Sequence, residues 1–486
     1  MVIERIKKYK NAPVAVKASV AYTVCNIIQK SLSFITVPLF TRLLTTDEYG
    51  QFSVYTSWQG ILAIFITLNL PYGSFAKAMV KFEKERDHYV ASCETICTVL
   101  TLLFLAIYLP LTSLWNKLFE LPTSLIIMLA LEILTQTALS FWSAKKRFEY
   151  KYKSVIAVTL VIAFLAPSLA FVLVMIMADK GMARIIGYAA IYIIIGGFFF
   201  FANLIKSRKL FDKGMVKYAL SFNLPLIVYY LSQVIFNQSD RLMIKHYIDT
   251  ASAGIYSVAY TLSMMLIFVL NAINNSYVPW FFTAINKKDT KNNKQITIII
   301  TFIMFVMLMG VIWVAPEIIL IMAGEKYREA IWIVPPVCIS NMLLLYTQYC
   351  INIEFFFEEK RSLVFASVFS ALCNIVLNAL FIPKFGFIVA GYTTLVSYIL
   401  FFICNYVAMK RVLRKNDTED DMYDKPKLFF MMLAFFVLAA FATLLYNYIL
   451  IRYIAILIMS IILFIFRKKI IALVKQIMNL KKEVKG

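Results

Sequence analysis

The stretch DEYGQFSVYTS, residues 47–57, returns as ASAGIYSVAYT at residues 251–261, with Gly50 matched by Gly254 and Val54 by Val258. The same shift lays DKGMARIIGYAAIY (179–192) on PKFGFIVAGYTTLVSY (383–398), pairing Gly187 with Gly391 and Tyr188 with Tyr392. Two matches at one shift mark an internal repeat, which has to be read before anything else in the chain. The copies are separated by an even number of apolar runs, so both have the same orientation in a membrane. Repeats of that kind are related by an axis along the membrane normal, and the transporters built from them place the substrate path between the two lobes.

Around the repeat, the composition is that of a chain solvated by lipid. Of 486 residues, 61% are hydrophobic and only 16% charged, and the mean hydropathy is +0.77. Soluble domains carry about 25% charged residues. Apolar runs of about 20 residues, enough to cross a hydrocarbon core, recur from end to end, and about fourteen can be counted. The fold expected is therefore an all-α membrane protein. Residues 1–205 form a first lobe of six spans, 206–217 a cytoplasmic amphipathic connector and 218–410 a second lobe of six spans. A cytoplasmic loop (411–427), two further spans (428–467) and a basic cytoplasmic tail (468–486) complete it.

The net charge of +22 is not a nucleic-acid signature, because the basic residues gather on alternate connections. Lys145, Lys146, Arg147, Lys151 and Lys153 form one group, and Lys206, Arg208, Lys209, Lys213 and Lys217 the next. This positive-inside pattern puts both termini in the cytoplasm, which requires an even number of spans. The basic start is followed by no small-residue cleavage site and is read as leading into a retained first span. The seven cysteines fall in or beside spans at no disulfide or metal spacing. His88 and His246 have no ligand partner at metal spacing, and no Gly-rich phosphate loop is present. Neither metal, cofactor nor ATP hydrolysis is expected.

Three segments carry a resemblance. PLFTRLLTTDEYGQFSVY (38–55), SDRLMIKHYIDTASAGIYSVAY (239–260) and NIVLNALFIPKFGFIVAGYTTLVSY (374–398) resemble signatures of the polysaccharide-biosynthesis flippases. These are the Wzx-type members of the multidrug/oligosaccharidyl-lipid/polysaccharide (MOP) superfamily. The third segment is the most telling, with Asn374, Asn378, Pro383, Gly386 and Gly391 in order; where small residues are common after that turn, this chain has Phe387, Ile388 and Val389. The resemblance covers about residues 10–410. It implies two six-helix lobes in a V, a central cavity opening alternately to each side, and basic residues in that cavity. The implied substrate is an O-antigen, capsule or exopolysaccharide repeat unit joined by pyrophosphate to a polyprenyl lipid. The implied setting is the bacterial cytoplasmic membrane, among membrane lipids, with a glycan polymerase and glycosyltransferases as partners.

Depth singles out two charges. At about 1.5 Å per residue and a core about 30 Å thick, Lys30 and Glu132 both fall near the midplane. A charge there costs roughly 2.5–3.5 kcal/mol on insertion scales, so something should compensate for it. Lys30, with Tyr22, Asn26, Gln29 and Ser33 on much the same face, reads either as a phosphate-binding cation or as a lysine that snorkels or pairs with Glu132. Glu132 reads as a proton or cation coupling site, as the partner of Lys30, or as a structural carboxyl kept protonated by burial.

In VYYLSQVIFNQSDRLMIKHYI (228–248), Tyr230, Gln233, Asn237 and Arg241 share one helical face. Gln233 and Asn237 are cavity candidates, as are Asn26, Gln29, Asn341, Gln348, Asn374 and Asn378. Amides offer both donors and an acceptor to sugar hydroxyls, yet they serve helix contacts in lipid equally well. Asp240 and Arg241 fall at the outer interface and read as an interfacial cap.

Two other functions fit the composition less well. A multidrug exporter of cationic compounds calls for acidic residues where this chain has Lys30. A membrane polymerase or glycosyltransferase needs positioned acids and bases on a sizeable loop, and the outside loops are short.

Overall fold

The computed structural model describes residues 14–207, 209–287, 289–359, 361–416 and 422–465; at 15, 16, 19, 20, 30, 33, 459, 462 and 463 it describes the backbone alone. No strand occurs among the described residues. Contacts divide the chain into two compact units, Met1–Leu242 and Met243–Gly486.

The first unit contains α1 (Val14–Leu43), α2 (Thr46–Thr67), the short α3 (Phe75–Lys81), α4 (Arg86–Tyr108), α5 (Thr112–Phe119) and α6 (Thr123–Phe148). It continues with α7 (Tyr152–Ile176), α8 (Lys180–Ser207), α9 (Lys213–Asn223) and most of α10 (Ile227–Tyr247). The second contains α11 (Thr250–Met264), α12 (Ile267–Asn286), α13 (Thr290–Trp313), α14 (Ala315–Ala323), α15 (Val334–Phe356), α16 (Arg361–Phe385), α17 (Val389–Lys415), α18 (Lys425–Leu444) and α19 (Ile449–Ile465).

Eleven stretches among the described residues are long and apolar enough to cross a membrane, and twelve if residues 325–332 and α15, bent by 46° at their junction, make one span. The protein is thus a multi-pass membrane protein. The reading of about fourteen also takes in α2 and α19. Asp47, Glu48, Gln51, Ser53, Thr56, Ser57 and Gln59 lower the hydropathy of α2, and α19 has only 17 residues.

The repeat is visible in where helices begin. Thr45 caps α2 in a capping box: its hydroxyl accepts from the Glu48 amide at 3.2 Å, while the Glu48 carboxylate accepts from the Thr45 amide at 2.8 Å. Asp249, one repeat length later, caps α11 by accepting from the Ser252 amide at 2.6 Å. Satisfying orphan donors in this way fixes where each helix starts, so the 45/249 correspondence carries the register of the repeat.

Glycine sets the closest approaches in the first unit. A Cβ on Gly187 of α8 would lie 2.3 Å from Cα of Ala170 on α7, and one on Gly196 would lie 2.4 Å from the Thr135 carbonyl oxygen on α6. In lipid, where no hydrophobic effect draws helices together, such close backbone packing holds them. Gly187→Ala should therefore lower stability by about 1–3 kcal/mol through overpacking against a backbone that cannot yield. Gly310→Ala on α13, where a Cβ meets nothing within 4 Å, is the matched neutral control. Thermal unfolding in detergent, followed by size-exclusion fluorescence, checks both; equal midpoints would contradict the close approach.

Buried polar contacts fasten one end of this unit. Asn203 on α8 donates to Glu94 on α4 at 2.6 Å and to the Ala138 carbonyl on α6 at 3.2 Å. Lys145, 2% exposed, donates to Asp87 at 2.5 Å. Toward lipid, α7 presents Val161, Phe164, Leu165, Phe171 and Val172.

In the second unit α15 is the core helix, with Pro335 to Leu343 buried at every position. The C-terminal helices dock through tyrosines that reach across to backbone carbonyls. Tyr346 donates to Leu428 at 2.8 Å, Tyr423 to Tyr349 at 2.9 Å and Tyr446 to Ile312 at 2.7 Å. Arg452 of α19, which is buried, pairs with Glu317 of α14, which also accepts from Tyr453 at 2.7 Å.

Candidate functional site

A cavity of about 690 Å³ opens in the first unit between α1, α2, α6, α7 and α8. Its polar wall comes mostly from α6, where Gln136, Ser140, Ser143 and Arg147 follow at spacings of four, three and four and so share a face. Gln29 of α1 and Asn69, just beyond α2, face the same space. The stripe ends in a cation: the exposed Arg147 guanidinium lies 5.1 Å from the centre of the Tyr22 ring on α1. Such a surface offers amide and hydroxyl groups to a polar ligand, and at one end a fork of donors suited to phosphate. The second unit holds a cavity of different character, about 530 Å³, walled by Tyr346, Phe402, Tyr406, Phe429 and Phe430.

Glu132 stands one helical turn from Gln136 but outside the cavity. It is 3% exposed and packs among Leu129, Ile133 and Tyr55; its carboxylate accepts from the Tyr55 hydroxyl of α2 at 2.7 Å. Lys30 lies on α1 next to Gln29, and its side chain falls outside the described residues. Asn26 is exposed on the same helix.

On α10, Asn237 donates to the Gln233 carbonyl at 2.7 Å. The Arg241 guanidinium is held locally, donating to the Gln238 side chain at 2.7 Å and to the Asn237 carbonyl at 3.1 Å. Gln238 in turn accepts from Ser57 on α2 at 3.2 Å. Asp240 is buried, at 1% exposure.

Three amides picked out as cavity candidates are committed to helix packing in this conformation. Asn341 is wholly buried and donates to the Ser263 carbonyl on α11 at 2.8 Å. Asn374 donates to Thr394 at 3.2 Å and accepts from Asn378 at 3.3 Å, while Thr393 donates to Asn378, so these two amides join α16 to α17. Gln348 instead accepts from Asn274 on α12 at 3.3 Å.

Two basic residues escaped the sequence reading. Arg147 belongs to the last turn of α6, beyond the apolar run, and its signal was the 4-3-4 spacing back to Gln136. Arg184 on α8 is 5% exposed and sits against the rings of Phe40, Tyr49 and Phe52, with centroids 4.5, 4.3 and 4.0 Å away. Cation–π attraction of this kind strengthens when the cation is desolvated. Among the described residues no group of three or more His, Cys, Asp or Glu could hold a metal ion.

With this geometry in hand, likeness to known proteins gives the class. Residues 15–285 match the family model described as "Polysaccharide biosynthesis protein", more than half of the chain, and the chain belongs to that family. It is 21% identical over 371 residues to Lsg locus protein 1 of Haemophilus influenzae, covering 73% of this chain and 88% of that one. It is 20% identical over 367 residues to a second membrane protein of the same organism, covering 74% and 88%. The fold is shared with the lipid II flippase MurJ in an inward closed conformation, at a TM-score of 0.64 and 12% identity over 90% of this chain and 100% of that one. It is shared also with an inward-facing multidrug-resistance MATE transporter of the MOP superfamily, at a TM-score of 0.56 and 11% identity over 82% and 99%. The chain is thus a multi-pass membrane protein of the polysaccharide-biosynthesis family, with a fold shared by MurJ and by MATE transporters.

Proposed function

We propose that the protein is a flippase that carries a polyprenyl-pyrophosphate-linked oligosaccharide across the bacterial cytoplasmic membrane by alternating access. The observation that carries this reading is the polar stripe of α6, amides and hydroxyls leading to the single guanidinium of Arg147. That chemistry suits a neutral glycan attached to an anionic phosphate. Support comes from membership in the polysaccharide-biosynthesis family and from a fold shared with a lipid II flippase. The multidrug reading is weaker, because a cationic compound calls for a carboxylate in the cavity and the charge found there is positive. The binding role of Lys30, the coupling role of Glu132 and the polymerase and glycosyltransferase partners all belong to this proposal.

The test is deletion followed by complementation. Lipid-linked sugar should accumulate on the inner leaflet without the protein and reach the outer leaflet when it is restored. Unchanged leaflet distribution would reject the reading.

Topology is a separate expectation from the positive-inside pattern. Reporters fused after Lys153, Lys213 or Lys291 should read cytoplasmic, and those near Asp47, Lys117 or Lys384 external. Opposite readings at any two of these sites would overturn both cytoplasmic termini.

A further inference from the structure

The exposed residues of α12 are Asn271, Ala272, Asn275, Pro279, Thr283 and Asn286. They fall mostly three or four apart, so they form one stripe along the helix. None is a large apolar side chain, and among the described residues no large hydrophobic of α11, α12 or α13 is exposed. The contrast with α18 is sharp, since that helix exposes Phe429, Phe430, Leu433 and Val437. Yet α11 and α12 together form a 37-residue apolar stretch that qualifies as a membrane span. An unpaired amide in hydrocarbon costs several kcal/mol. A stripe with two exposed asparagines one turn apart is therefore a surface for water or a polar ligand and not for hydrocarbon.

A second row of amides stands behind it. Asn274 donates to Gln348 of α15 at 3.3 Å and accepts from Asn352 at 3.1 Å. Asn352 is only 3% exposed, so this cluster is anchored in the core of the unit and fixes the rotation of α12. The stripe carries no Asp, Glu, Lys or Arg before Lys287 at its end. Its chemistry is therefore that of paired donors and acceptors without net charge, which matches the vicinal hydroxyls of a sugar and not a phosphate.

We propose that Asn271 and Asn275 form a sugar-contacting surface in the second unit, held in place by the Asn274–Gln348–Asn352 cluster. The inference rests on the flippase reading and adds to it. On this account α12 adds contacts to the glycan alone, beyond those offered by the α6 stripe, and takes no part in holding the phosphate.

Purified protein is tested with two probes. One is undecaprenyl pyrophosphate, and the other is the lipid-linked oligosaccharide extracted from a host strain lacking the transporter. Two hydrogen bonds of ordinary net strength amount to about tenfold in affinity. The unaltered protein should accordingly bind the glycan-bearing lipid about tenfold more tightly than the bare one. The Asn271→Ala/Asn275→Ala variant should lose that preference and keep its affinity for the bare lipid. A variant that keeps the full preference overturns the inference and leaves the flippase reading standing, whereas protein that binds neither probe overturns both. Should the variant lose both affinities by misfolding, Asn275→Cys decides, in a background with the seven native cysteines replaced. A membrane-impermeant thiol reagent should label it and leave Val172→Cys unlabelled; an unlabelled Asn275→Cys overturns the inference.

Discussion

Lys30→Ala should abolish glycan export while the protein reaches the membrane at its normal level, and Lys30→Arg should retain part of the activity. This is the largest effect expected of any single substitution in the chain. A pyrophosphate carries at least two negative charges, and drawing it through a low-dielectric region without a counter-charge is prohibitive. A fixed cation near the midplane lowers that cost in both the inward-open and outward-open states, provided it faces the path in each. Arginine preserves the charge but not the compact point contact, hence partial rescue. The neighbour Gln29 lines the cavity of the first unit, which places the α1 backbone at this position beside polar space. The competing account is that Lys30 neutralises Glu132. On that account Lys30→Ala with Glu132→Ala restores export, since no buried charge is left alone. Surface glycan and inner-leaflet lipid-linked sugar, measured for the single and double variants at matched protein levels, separate the two. Rescue by the double variant rejects the binding role.

Glu132→Gln should slow transport by about tenfold or more without loss of folding if this ionisable group within a span works in the transport cycle. The substitution is nearly isosteric, and its carbonyl can still accept from Tyr55, whose hydroxyl now lies 2.7 Å from the carboxylate. What is lost is the ability to take up and release a proton. Tyr55→Phe is the companion variant. It removes the hydrogen bond and leaves a buried carboxyl oxygen unsatisfied, at a cost of about 1–3 kcal/mol in stability, while the titratable group remains. A structural role predicts the greater damage from Tyr55→Phe; a coupling role predicts it from Glu132→Gln. Transport assays alongside thermal unfolding distinguish them, and full transport by Glu132→Gln removes the coupling role.

The class of fold was legible because its causes are local. Apolar runs and the repeated helix starts at 46 and 250 need no partner to be recognised, and the capping residues Thr45 and Asp249 are written next to the helices they begin. The site was harder to read, because an amide in a span looks the same whether it meets a sugar or a neighbouring helix. Asn341 and Ser263 lie far apart in the chain, as do Gln348 and Asn274. Only the packing shows that the first amide is enclosed and the second belongs to a cluster behind an exposed stripe. Arg147 was hidden for a different reason. The helix carries it past the end of the apolar run, so a residue that reads as part of a loop stands on the same face as Gln136. Arg184 sits in an aromatic box whose rings come from α1 and α2, and no spacing within α8 announces it.

The glycine contacts of α8 have a mechanical consequence. Where backbones touch at Gly187 and Gly196, there is no layer of side chains to shear, and α6, α7 and α8 are stiff with respect to one another. Glu132 and the stripe from Gln136 to Arg147 all lie on α6 within that block, so their backbone positions are fixed with respect to one another. α1 has a break of its own, where Pro38 cannot donate to the Phe34 carbonyl and so interrupts the hydrogen-bond ladder, as Pro167 does within α7. Asn26, Gln29 and Lys30 lie on the N-terminal arm of that break. The glycine contacts thus hold the three helices of the block together, while α1 carries a hinge point beside them.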